Sequence, residues 1–130
     1  MYVRDAVDED APAMADLADL PRAAADRLLR ERRVRVAAED ADDEIVGFAA
    51  YDTYNGAIHV TRLAGDEASF DDLLDEPRGL ARSEDLPVEV VVPESDEETR
   101  RAVETLGFEA RENGPRFEGE ETRKYRWDPA

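Results

Sequence analysis

Residues 95–109 constrain this chain more than any other stretch. They run Ser95-Asp-Glu-Glu-Thr-Arg-Arg-Ala-Val-Glu-Thr-Leu-Gly-Phe-Glu109, which reads as a capped helix, a glycine stop and an immediate strand. Ser95 is placed to cap the first turn, and Glu98 three residues on completes a capping box. Ala102, Val103 and Leu106 fall on one helical face, and Gly107 supplies the left-handed stop.

The remaining elements follow from hydrophobic period and turn chemistry. Tyr2-Val-Arg4 is a short opening strand. Asp8 caps a helix that carries Ala11, Met14, Leu17 and Leu20, with Pro12 tolerated in its first turn. Pro21 opens a second helix with Ala24, Leu28 and Leu29 on its buried stripe. Arg30, Arg32 and Arg33 at its end suit the negative end of the helix dipole. Residues 34–39 alternate as a strand, and residues 44–51 form a more fully buried one. Asn55-Gly56 marks a hairpin into a strand over 57–63. Beyond Gly65 comes a helix anchored by Leu73 and Leu74, which Pro77 and Gly79 are expected to interrupt or end. Residues 88–92 are β-branched and mostly apolar, as a central strand should be. Two last strands are expected at 108–111 and 122–127, with turns at 112–115 and 118–120. The order is β-α-α-β-β-β-α-β-α-β-β.

A length of 130 residues suits one domain over 1–130 with one core. Cysteine is absent, which excludes a disulfide framework and a thiolate metal site. No apolar run reaches the ~18 residues of a membrane helix, and the N-terminus lacks a basic, apolar signal pattern. The expectation is a cytoplasmic protein without a membrane partner. Acidic residues number 34 against 17 basic ones, for a formal charge of −17, and Lys124 is the single lysine. This composition matches a protein working at very high salt, where the Debye length falls to about 3 Å and the acidic coat is screened. No nucleic-acid partner is expected, since phosphate binding needs a basic face and none is found in the sequence.

Three pieces in the right order resemble the GNAT superfamily of N-acetyltransferases. Tyr2-Val-Arg4 with residues 8–20 is similar to that family's first strand and helix. Glu44-Ile-Val-Gly-Phe-Ala49 is similar to its third strand, and Leu106-Gly-Phe-Glu109 to the junction into its sixth. The resemblance implies an α/β (α+β) three-layer fold: a mixed, twisted sheet of six or seven strands with helices on both faces. It also implies that strands four (57–63) and five (88–92) run parallel and splay near Leu63 and Val90, with acetyl-CoA in the gap. Arg62, Leu63, Ala64 and Gly65 are the implied donor-binding residues, their main-chain N–H groups facing the pantetheine arm and the thioester carbonyl.

Two family features are not matched. The family follows its fourth strand with a Gln/Arg-x-x-Gly-x-Gly/Ala loop, whose bare N–H groups hold the pyrophosphate. Here only Gly65 remains, and Asp66, Glu67, Asp71 and Asp72 stand where the diphosphate would dock. Many members also carry a tyrosine three residues before the Leu-Gly-Phe leucine as general acid; here that position is Val103.

His59, the single histidine, is a candidate general base for deprotonating an amine, or else a strand histidine with a local hydrogen bond. The period-two pattern puts it on one face with Ala57, Thr61 and Leu63. Glu89 is a candidate base acting through water, or a polar residue on the open side of the sheet. Tyr51 and Tyr54 are candidate acceptor-pocket residues, or ordinary sheet packing. One histidine and no cysteine argue against a catalytic zinc site, while the carboxylates could bind hard cations nonspecifically. Two functions follow. The first is acetyl transfer from acetyl-CoA to a small-molecule or peptide amine. The second is a non-catalytic ligand-binding or protein-interaction module that has lost acetyl-CoA binding. Exposed strand ends leave room for a homodimer.

Overall fold

The computed structural model describes residues 1–116 and 119–129. Among them, seven strands make one sheet in the order β1-β2-β3-β4-β5-β7-β6. The strands are β1 (Tyr2–Asp5), β2 (Arg33–Ala38), β3 (Ile45–Tyr54), β4 (Ala57–Gly65), β5 (Val88–Pro93), β6 (Glu109–Asn113) and β7 (Thr122–Trp127). Helices α1 (Ala11–Ala18) and α2 (Arg22–Glu31) follow β1, α3 (Phe70–Glu84) links β4 to β5, and α4 (Glu97–Thr105) links β5 to β6. Neighbouring strands pair antiparallel except β4 and β5, which are parallel. This is the expected element order on a mixed sheet.

Strand alternation sends successive side chains to opposite faces, and two cores result. Val34, Val36, Phe48 and Ala50 meet Met14 and Ala25 on the α1–α2 face. Ala49, Tyr51, Ile58, Val60, Val88 and Val90 meet Phe70, Leu73, Leu74 and Val103 on the α3–α4 face. The register of β3 against β4 shifts between Ala50 and Tyr51, leaving Thr61 as an extra residue. This bulge reverses the alternation. Leu63 therefore joins Ile58 and Val60 in the α3–α4 core, and does not share the face of His59 as simple alternation predicts.

Helix boundaries depart from expectation in three places. Residues Asp8–Asp10 form a 3₁₀ turn before α1 and Asp8 does not cap it; Asp10 instead accepts the Val7 N–H at 2.9 Å. Helix α3 runs straight through Pro77 and Gly79. Leu73, Leu74, Pro77 and Ala81 are all buried along it, and several kcal/mol of apolar burial outweigh the ~3 kcal/mol cost of an interior proline. The Arg78 side chain folds back to donate to the carbonyls of Leu74 (3.2 Å) and Asp71 (2.7 Å) beside the proline. A β-carbon added at Gly79 would meet no atom within 4 Å, and the backbone there is ordinary helix. Gly79→Ala should therefore raise stability by about 0.5–1 kcal/mol, read from the urea midpoint at fixed salt.

The third departure is at α4. Its cap is Asp96, whose carboxylate accepts the Thr99 N–H at 3.2 Å, while Ser95 turns its hydroxyl to Glu120. The far end matches expectation: Gly107 has φ +96°, Gly107 N–H donates to Glu104 and Phe108 N–H to Val103, both at 3.0 Å. That is a Schellman stop. The final loop differs too: Glu112 and Asn113 finish β6 in place of opening a turn. Of the turn read at 118–120, Glu118 lies outside the described residues.

A polar knot ties β1 to its surroundings. Arg4 donates to Asp10 at 2.8 and 3.1 Å and to Asp43 at 3.1 Å, and the Tyr2 hydroxyl also donates to Asp43. The Tyr2 hydrogen bond, then Arg4, holds the Asp43 carboxyl below its usual range; the Arg35 hydrogen bond does the same for Asp5. A carboxylate with a lowered folded-state pKa contributes stability above the unfolded value, and that contribution disappears as pH falls through the folded one. The melting temperature at fixed salt should therefore drop below about pH 4, and Asp43→Asn should flatten that acid limb.

Candidate functional site

Parallel pairing between β4 and β5 covers Ile58↔Val88, His59↔Glu89 and Val60↔Val90, and stops there. Each strand then follows its outer neighbour. β4 stays with β3 as far as Gly47↔Gly65, and β5 stays with β7 as far as Pro93↔Thr122. The sheet opens between them into a cleft of about 500 Å³. Its walls are Arg62, Leu63, Ala64 and Gly65 of β4, Pro93 of β5, the Leu17–Leu20 end of α1 and the first turn of α4. Phe70 and Leu74 are fully buried in the α3–α4 core and do not fill it.

The cleft has main-chain donors on its β4 wall. Asp66 N–H donates to Val46 of β3 at 2.8 Å, so alternation turns the N–H groups of Leu63 and Gly65 the opposite way, into the gap. Gly65 makes this possible. Its φ is +113°, and a β-carbon there would collide with the Val46 carbonyl and the Gly47 Cα.

The end of the cleft nearest α3 is built differently. The Asp66 carboxylate accepts the Ala68 N–H at 3.0 Å, and its carbonyl accepts the Ser69 N–H at 2.9 Å and the Ser69 hydroxyl at 2.6 Å. The first donors of the turn into α3 are thus used within the chain. Asp19, Glu67, Asp96, Glu98 and Glu120 line the same cleft, and Arg62 is the one cation among its described lining residues. The acyl and pantetheine portion of acetyl-CoA fits donors of this kind; its diphosphate does not fit a rim lined by Asp19, Glu67, Asp96, Glu98 and Glu120.

His59 and Glu89 come together on adjacent strands, on the sheet face opposite Ile58 and Val88. His59 Nδ1 lies 3.4 Å from Glu89 Oε1, both side chains about 15% exposed. His59 Nε2 faces the Tyr54 carbonyl at 3.0 Å, and the Tyr54 ring stacks on the imidazole with centroids 4.0 Å apart. Both ring nitrogens face acceptors, so a neutral imidazole satisfies one of them and keeps one lone pair. Lys124 Nζ stands 3.9 Å from the same Glu89 oxygen. A groove of about 300 Å³ between α2 and β4, lined by Leu28, Glu31, Arg32, Thr61 and Arg62, opens on the α2 side; Arg62 lines it and the cleft alike.

Tyr51 is placed elsewhere. It is 2% exposed, packs in the α3–α4 core and donates its hydroxyl to Glu76 of α3. Burial, reinforced by Glu76, pushes its phenol pKa well up, so it stays protonated. Val103 is fully buried in the same core, so its position offers no hydroxyl to the cleft. Sequence reasoning missed the Leu17–Leu20 segment, the Asp96 cap and Glu120 as cleft walls, because nothing local in those residues points to a ligand. Lys124 carried a signal: one lysine among arginines, two strands from His59. Among the described residues no group of three or more His, Asp or Glu is placed to hold a metal ion, and no helix is long and apolar enough to cross a membrane.

No protein-family model matches this sequence, and no curated protein matches it. Solved structures do. Ard1 of Thermoplasma volcanium is similar at 18% identity with a TM-score of 0.75, covering 99% of this chain and 97% of that one. A GNAT-family acetyltransferase of Bacillus cereus is similar at 17% identity and TM-score 0.71, covering 99% and 97%. The yncA protein of Salmonella typhimurium, solved with its cofactor acetyl-CoA, is similar at 13% identity and TM-score 0.69, covering 98% and 93%. Likeness at these identities shows the fold, and it is the GNAT fold.

Proposed function

We propose that this GNAT-fold chain is an N-acyltransferase. It would move an acetyl group from a thioester in the β4–β5 cleft to an amine presented on the His59–Glu89 face. One observation carries the reading: β4 and β5 separate after Val60↔Val90, which leaves an open slot with the Leu63 and Gly65 N–H groups turned into it. Donors fixed in place before the reaction stabilise charge that develops on a carbonyl oxygen, at no reorganisation cost. The bond that forms joins the amine nitrogen to the acyl carbon, and the bond that breaks is carbon–sulfur. The His59–Glu89 pair takes the amine proton, and the departing thiolate (thiol pKa near 8.5) is protonated by water, as Val103 supplies no acid.

Thiol release from acetyl thioesters mixed with a panel of small-molecule and peptide amines, in multimolar KCl, tests this directly. His59→Ala should lower kcat/KM for transfer by about 10²-fold, the usual size of a general-base contribution, while leaving thioester affinity unchanged. The reading is abandoned if no amine supports thiol release above the uncatalysed rate and no thioester binds.

A second reading has its own support. The hydrogen bonds from Ala68 and Ser69 to Asp66 occupy donors that a nucleotide diphosphate would need. A binding module that has given up acetyl-CoA would show the same feature. Such a protein would bind an amide-containing ligand in the slot and release no thiol from any donor.

A further inference from the structure

We infer, building on the acyl-transfer reading, that the donor for this cleft is an acyl thioester of pantetheine that lacks the nucleotide diphosphate of acetyl-CoA. Two helix N-termini approach the cleft, α3 through its preceding turn and α4, and an anion docks at such ends only where their N–H groups are open. At each end a carboxylate of the chain takes one of the first N–H groups and sets its negative charge there. Asp66 takes the Ala68 N–H at 3.0 Å, and Asp96 takes the Thr99 N–H at 3.2 Å. A third donor on the α4 rim, Ser95 N–H, goes to Glu120 at 3.3 Å.

Charge points the same way. Asp19, Glu67, Glu98 and Glu120 line the cleft beside these caps, and like charges in contact are screened far less by salt than distant ones. Arg62, the cation among the described lining residues, already has a partner within the protein. The donors turned into the slot are the Leu63 and Gly65 N–H groups, deep on β4. Two neutral donors and a carboxylate rim select a linear, uncharged ligand with amide and thioester carbonyls, which is the chemistry of acyl-pantetheine. A slot of about 500 Å³ lies in the ordinary range for a small-molecule ligand.

The test is calorimetric titration of the full chain with S-acetylpantetheine and, separately, with acetyl-CoA, in 2 M and 0.5 M KCl (about 2 and 4 Å Debye length). S-acetylpantetheine should bind at least as tightly as acetyl-CoA, and its advantage should widen at the lower salt. Glu67→Gln combined with Glu98→Gln, both exposed positions, should improve acetyl-CoA affinity by about tenfold and leave S-acetylpantetheine unchanged. Acetyl-CoA binding more than about threefold tighter than S-acetylpantetheine overturns this inference alone and leaves the transferase reading standing. Binding of neither thioester, by a chain that still melts cooperatively, overturns both.

Discussion

Gly65→Ala should cost about 3 kcal/mol or more of folding stability, combining a positive-φ penalty with a backbone collision. The residue has φ +113°, and its absent side chain would run into the Val46 carbonyl and the Gly47 Cα of β3. Neither obstacle is a flexible side-chain tip, so the two strands must separate or the backbone must turn. Either response pulls Asp66 N–H from Val46, a 2.8 Å bond, and rotates the neighbouring amides out of the slot. A large drop in the urea midpoint together with lost thioester affinity is the expected pair of results. Gly56→Ala is a useful contrast: its φ is also positive, at +74°, but no atom lies within 4 Å of the added carbon. It should cost only the ~1–2 kcal/mol of the backbone conformation and leave affinity intact.

Arg4→Met should destabilise the fold by a similar amount, about 3 kcal/mol. Arg4 makes a two-pronged contact with Asp10, at 2.8 and 3.1 Å, and the Asp10 side chain is only 8% exposed. Asp10 and Asp43 together raise the already high Arg4 pKa further. Methionine fills much of the arginine stem's volume but leaves a nearly buried carboxylate with the Val7 N–H (2.9 Å) as its hydrogen-bond donor. Thermal melts at pH 7 and fixed salt would measure the loss. Asp10→Asn placed in the Arg4→Met background should recover most of it, since the uncompensated charge is gone. No recovery would mean that Arg4 acts through packing and its Asp43 contact.

Local signals were enough for most elements. The Asn55-Gly56 hairpin has both residues at positive φ, as the pair demands, and Gly107 ends α4 as its position required. Where local reading failed, two acceptable local solutions competed and a distant residue chose between them. Ser95 and Asp96 are both good caps, and Glu120, arriving from the far side of the chain, takes Ser95 and leaves the cap to Asp96. Pro77 is a helix breaker taken alone, but the buried face of Leu73, Leu74, Pro77 and Ala81 holds α3 in one piece. Of the candidate site residues, Arg62, Leu63, Ala64 and Gly65 line the cleft, and His59 and Glu89 touch each other. Tyr54 stacks beside them, and Tyr51 lies in the core. The side of the sheet that Leu63 takes depended on the bulge at Thr61, which no period-two count contains.

Element order, the glycine stop before β6, the lack of a glycine-rich turn after β4 and the valine at position 103 are all properties of the sequence alone, because each depends on neighbours within a few residues. The opening between β4 and β5, the pairing of His59 with Glu89 and the capture of Ser95 by Glu120 were decided by the tertiary structure. Residues far apart in the chain meet there through strand pairing: His59 faces Glu89 where β4 and β5 still pair. The cleft opens where each strand follows its outer neighbour, which no local preference encodes.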